Sequence, residues 1–142
     1  MNYTIKLETG HINFSPVGFR RAAEDFLLCQ ESFRPPKFSV VPYFLCCRAI
    51  ELALKAMHLE SQTQKQVKKG FGHDLKASYD ALPSPMQILS PSELRLLEQT
   101  NVLYMMKAFE YVRPIDAAHG YSEFPLLDDL VRLGTKLVAA CA

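Results

Sequence analysis

SVVPYFLCCRAIELALKAMHL, residues 39–59, is the most apolar long run in the chain. Val40, Val41, Phe44, Leu45, Cys47, Ile50, Leu52, Leu54, Met57 and Leu59 leave it almost no polar face. A helix that is apolar nearly all round has to be covered by several neighbours, so the run predicts a central helix. Ser39 is placed as its N-cap, with Pro42 in the first turn, where a missing N–H removes no internal bond. Only Arg48, Glu51, Lys55 and His58 break the apolar surface. Glu51 and Lys55 are four apart in the favourable order and Arg48 lies one turn earlier, so these charges pair along one strip.

Working outward, the preceding stretch opens with Ser15 and Pro16, a cap followed by a first-position proline. Phe19, Ala22, Ala23, Phe26, Leu27 and Phe33 follow at helical spacing, and Arg34-Pro35-Pro36 stops that helix. A short connection to the central helix predicts antiparallel packing. Upstream, residues 1–14 alternate Tyr3, Ile5, Leu7 with Thr4, Lys6, Glu8 and read as an extended arm. Downstream, residues 60–72 are polar, carry Lys65, Lys68 and Lys69, and read as a loop or a frayed end of the central helix. His73-Asp74 opens a short helix with Leu75, Tyr79 and Leu82 inward, closed by Pro83 and Pro85. Ser90, Pro91 and Glu93 form a capping box with proline at the first helical position. The helix they start is expected to reach about Val112, with one stripe through Leu94, Leu97, Asn101, Tyr104, Met105, Ala108 and Val112 and a second through Leu96, Leu103, Met106 and Phe109. One stripe is available for the core and the other for a partner subunit. Pro114 is expected to end the helix and to leave residues 113–124 as a loop. Pro125 then opens a last helix with Leu127, Leu130, Val131, Gly134, Leu137, Val138 and Cys141 inward. The fold expected is an all-α up-down bundle of four main helices plus one short one, a single domain over residues 1–142 with the bundle from residue 15 onward.

Composition narrows the function classes. The formal net charge is +1, so no global field captures nucleic acid or a membrane surface at long range. Arg48, Glu51 and Lys55 fall where charges in a bilayer-spanning helix are costly, which favours a helix buried in protein over a membrane span. Cys29, Cys46, Cys47 and Cys141 contain no C-x-x-C spacing. They read as small apolar residues of a reducing, cytoplasmic protein rather than as metal ligands or a disulfide framework. No signal-peptide order is present at the N-terminus.

AIELALKAMHL at residues 49–59 and GFGHDLKASYDAL at residues 70–82 then fall into one pattern. A helix reading A-I-E-x-A-L-K-A, a loop, and G-x-x-H-D-L at a short helix resembles the HEPN domain family. Those helical domains accompany minimal nucleotidyltransferases and occur in toxin–antitoxin and other defence systems. The resemblance covers residues 19–82, and the helix count fits onward. It implies a bundle that pairs about a two-fold axis. In many members it implies a metal-independent ribonuclease with an R-x(4 to 6)-H motif, and in others a non-catalytic partner of a nucleotidyltransferase or antitoxin.

A stretch of matching length runs from Arg113 through Pro114 to His119, followed by Gly120-Tyr121, an H-x-Y ending that resembles a subset of toxin members. In the ribonuclease reading, His119 moves a proton between the ribose 2′-hydroxyl and the leaving oxygen, and Arg113 clamps the phosphoryl oxygens. Against it, Pro114 follows the arginine directly, and residues six apart on a helix are about 120° out of register. Arg113 as a cap at a helix C-terminus, His119 as a residue of a polar loop and Tyr121 as a packing aromatic form the simpler alternative. His73 and Asp74 read as cap and support of the short helix, or as part of a cleft. Arg48, Glu51 and Lys55 read as an ion-paired strip or the lining of a cleft, and Lys69 as a solvated lysine with a weak claim on RNA. Three functions follow: a HEPN-like binding or regulatory module, which the Pro114 departure favours; the ribonuclease; and a nucleotide or small-molecule binding domain using His73, Lys55 and Arg48. None requires a metal or a cofactor, and none a membrane.

Overall fold

The computed structural model describes residues 15–141, which are all-helical with no strand among them; the arm read at residues 1–14 lies outside the described residues. The helices are α1 (Pro16–Ser32), α2 (Val41–Leu59), α3 (Gln64–Phe71), α4 (Leu75–Asp80), α5 (Pro91–Met105), α6 (Pro114–His119) and α7 (Leu127–Ala140), with a 3₁₀ turn at Ser84–Met86. The four long ones are α1, α2, α5 and α7, and α4 is the expected short helix.

The starts of α1, α4 and α5 are made by the capping residues that the sequence signals, whereas α7 opens at Leu127 with Leu126, not Pro125, as its N-cap. Ser15 accepts from the Gly18 N–H at 3.2 Å, with Pro16 at the first helical position. Asp74 caps α4 by accepting from Ala77 N–H at 3.0 Å. Ser90 and Glu93 complete the reciprocal capping box of α5, at 3.2 and 2.9 Å. At α2 the Ser39 hydroxyl accepts from Val41 N–H at 3.2 Å, but Val40, already in helical conformation, is the residue at the N-cap.

α2 is the centre of the bundle. Cys46, Cys47, Ala49, Ile50, Ala53 and Leu54 have no solvent exposure, and consecutive buried positions mean cover on all sides. α1 runs along one flank and α7 along another, while α4, α3 and α5 close the remainder. At Gly134 of α7 a Cβ would lie 3.4 Å from Leu27 and 3.7 Å from Ile50, so the α1–α2–α7 approach is close enough to need a small residue there. Among the described residues no helix is long and apolar enough to cross a membrane.

Three further expectations are corrected. Residues 60–72 contain α3, whose start is a second reciprocal capping box: Thr63 N–H donates to Gln66 Oε1 at 2.9 Å and Gln66 N–H to Thr63 Oγ1 at 3.3 Å. α5 stops at Met105 instead of reaching Val112. Ala108 N–H bonds Leu103 C=O at 3.0 Å and Lys107 N–H bonds Tyr104 C=O at 3.1 Å, a Schellman ending with Lys107 at φ 57° in the left-handed seat. That turn breaks the helical period, so Leu103, Ala108 and Phe109 enter the core while Met105, Met106 and Val112 face outward, and the two continuous stripes do not form. Residues 113–124 are not all loop, because Pro114 starts a helix: α6 takes Arg113 as its N-cap and Pro114 at its first position, the one helical site where proline fits without penalty.

Candidate functional site

The strip on α2 is built around Glu51, whose side chain is 3% exposed. A carboxylate taken out of water needs partners on both oxygens, and Glu51 has them. Oε2 accepts from Arg48 Nη1 one turn before and forms an ion pair with Lys55 Nζ at 3.4 Å one turn after. Oε1 accepts from the Tyr104 hydroxyl of α5 at 3.3 Å and from His73 Nδ1 at 2.5 Å. Burial, with the Glu51 charge adding to it, pushes the Tyr104 phenol well above its ordinary value, which keeps it a donor. A carboxylate only accepts, so the Nδ1 of His73 carries the proton and Nε2 is the ring position left free.

His73 is aimed by its neighbours. Gly72, at φ 54°, turns the chain after α3 through a conformation that favours glycine. Asp74 accepts from Asn101 Nδ2 at 2.9 Å, and Leu75 N–H donates to Asn101 Oδ1 at 2.9 Å, which locks the start of α4 onto α5. Cavities lie on both sides of this cluster, and Arg48, Gly72 and His73 line both. The smaller, about 280 Å³, is walled by Phe19, Leu52, Leu59 and Val67 with Lys55 at its edge. The larger, about 460 Å³, has Phe44, Phe71, Tyr104 and Met105 as walls and Lys107 and Glu110 beside them. His58, the fourth interruption of the apolar helix, is structural: it is buried, bonds Ser78 C=O through Nε2 at 2.7 Å and stacks on Phe71.

Arg48, Glu51, Lys55 and His73 therefore come together, whereas Asp74 serves as a cap beside them. Lys69 lies on α3 with its side chain outside the described residues. Arg113 and His119 occupy opposite ends of α6, and the His119 side chain is also outside the described residues. Arg113 donates from Nε and Nη2 to the two oxygens of buried Asp116 at 2.6 and 2.8 Å, and from Nη2 to Glu123 at 3.4 Å. Its guanidinium also lies over the Phe124 ring. Tyr121 stacks on Phe38 with ring centres 4.5 Å apart and meets Phe124 edge-on.

Tyr104, Gly72, Asn101 and Lys107 complete the neighbourhood and were not among the sequence candidates. Gly72 alone left a usable signal, as the second glycine of G-F-G-H-D. Comparisons of the chain with protein-family models, with curated proteins and with solved structures give no match.

Proposed function

We propose that this chain is a HEPN-like helical binding module that pairs with a second copy of itself and with a protein such as a nucleotidyltransferase or an antitoxin, without cleaving RNA at Arg113 and His119. The observation that supports it best is the state of Arg113. A phosphate clamp needs guanidinium donors free to meet phosphoryl oxygens. Here the fork is closed on Asp116, whose side chain is 2% exposed, with Glu123 on the same nitrogen. Opening it would leave a buried carboxylate unpaired, at a cost of about 3 kcal/mol. Val102, Met105, Met106, Tyr111, Val112 and Ile115, all exposed at and after the end of α5, supply an apolar edge suited to a protein partner.

The test is incubation of structured and single-stranded RNA with purified protein in excess chelator, alongside His119→Ala, which retains both Arg113 and Asp116. Intact RNA in both samples is expected. Chelator-resistant cleavage by the wild type that His119→Ala abolishes would replace the binding reading with the ribonuclease. Light scattering should give a dimer mass for the wild type and a monomer mass for Met106→Glu. The third reading, a small-molecule cleft, is favoured by the cavities beside Arg48 and His73.

A further inference from the structure

We infer that the smaller cavity, between α2, α3 and the Gly72–His73 turn, is a binding site for an organic monocarboxylate with an apolar body. The carboxylate would sit at Lys55 and Arg48, with His73 Nε2 at its edge, and the body against Phe19, Leu52, Leu59 and Val67.

Charge is the first step. Among the described residues lining this cavity, Arg48 and Lys55 carry two positive charges against the single negative charge of Glu51. Among these described residues one positive charge exceeds the negative charge in a largely apolar recess. A lone charge beside apolar walls is unfavourable unless water or a ligand neutralises it, and one negative charge restores balance. A dianion such as a phosphate monoester would reverse the excess, and a cation would meet Arg48 and Lys55 head-on. In the larger cavity Lys107 has a carboxylate of its own, Glu110 at 3.7 Å, so Glu51 is not shared there with a second cation as it is between Arg48 and Lys55.

Donor geometry is the second step. An ammonium has three donors, and Lys55 makes one contact, to Glu51 at 3.4 Å. Arg48 gives Nη1 to Glu51, also meets the Tyr104 side chain, and holds its guanidinium 5.8 Å over the Phe26 ring, which fixes its plane. Glu51 thus pins both cations by one side each and leaves further N–H groups for a second carboxylate. Shape is the third step. A recess of about 280 Å³ enclosed by two aromatic or branched walls on α1 and α2, with Val67 of α3 as cover, suits a compact apolar body and is too small for a polymer.

The experiment uses the full chain, with hexanoate as probe and hexanamide, 1-hexanol and inorganic phosphate as comparisons, read by calorimetry and by ¹⁵N chemical-shift mapping. Saturable binding of hexanoate is expected, with shifts concentrated on α2, α3 and the Gly72 and His73 amides. Hexanamide and phosphate should bind at least roughly tenfold more weakly, in line with loss of a charge-assisted contact. Lys55→Met should weaken hexanoate by a similar factor, and Lys55→Arg, which restores the charge, should recover it; both are checked for an unchanged helical spectrum. Equal binding of hexanoate and hexanamide, preference for phosphate, shifts confined to another face, or unaltered affinity in a folded Lys55→Met protein would each overturn the assignment. No readout involves RNA or self-association, so failure here leaves the binding-module reading standing.

Discussion

Glu51→Met is the perturbation that tests the site most directly. Methionine matches glutamate in length and lack of branching, so packing around α2 should survive and the change isolates the carboxylate. Its four donors do not suffer equally. His73 and Arg48, with side chains 71% and 28% exposed, can turn to water and lose little. Lys55 at 17% and the Tyr104 hydroxyl in a residue 8% exposed rehydrate poorly. An orphaned buried hydroxyl costs about 1–2 kcal/mol and a half-desolvated ammonium a similar amount, giving roughly 3 kcal/mol in all. Against a domain stability of about 5–15 kcal/mol, that loss is easily read by urea unfolding. Adding Tyr104→Phe removes the orphan, so in the Glu51→Met background this second change should destabilise by about 1 kcal/mol less than it does alone. A loss below about 1 kcal/mol for Glu51→Met, or strict additivity of the pair, would mean that the carboxylate does not organise these donors.

Four further outcomes follow from the structure. Lys107→Gly should raise stability by about 0.5–1 kcal/mol in urea, the left-handed penalty at φ 57° less the extra freedom of glycine in the unfolded chain. Gly134→Ala meets ordinary contacts at 3.4 and 3.7 Å and should gain up to about 1 kcal/mol of helix propensity, whereas Gly134→Val should destabilise through overpacking. A native thiol titration at mildly alkaline pH should show one fast cysteine, the exposed Cys29, because burial pushes Cys46 up to about 12, Cys141 up to about 11 and Cys47 well above its ordinary value; Cys29→Ser should remove the fast phase. Hydrogen bonds from Lys136 and from the Ser90 backbone hold the Glu93 carboxyl below its ordinary 4.5, so its contribution is complete above that value and is lost as pH falls through the lowered folded-state value. Glu93→Gln should accordingly reduce stability by about 1 kcal/mol at neutral pH, with the difference closing in acid.

Several helix starts were legible because their signals are local. Ser15-Pro16, Asp74 and Ser90-Pro91-Glu93 each fix a start through hydrogen bonds within one turn. α3 carried the same kind of signal in Thr63 and Gln66, hidden by the lysine-rich composition around it. Pro114 was ambiguous for a physical reason: the missing N–H that ends a helix from inside is harmless at its first position, and the residues beyond decide which applies. The end of α5 was illegible, since a left-handed seat held by Lys107 lacks the glycine or asparagine that would mark it. At the site, Arg48, Glu51 and Lys55 were visible as neighbours on one helix face. The approach of Tyr104, 53 residues from Glu51, depends on how α5 docks, and no local spacing encodes that.

The α2 helix could have completed its burial with a leucine at position 51. Replacing a buried ion pair by apolar residues is often neutral or stabilising, so the cluster contributes little net stability that an apolar core would not. What an apolar residue cannot do is hold Arg48, Lys55 and His73 at fixed points beside two cavities. Each is tethered to Glu51 through one nitrogen, Arg48 meeting the Tyr104 side chain as well, and none uses all of its nitrogens there. A tethered donor has already lost much of its rotamer freedom, so a second anion meets it at a lower ordering cost than it would meet a solvated lysine. On the carboxylate-binding proposal above, the strip that interrupts the apolar helix acts as a preorganised recognition surface, and its energetic signature should appear in ligand affinity more than in the melting temperature of the empty protein.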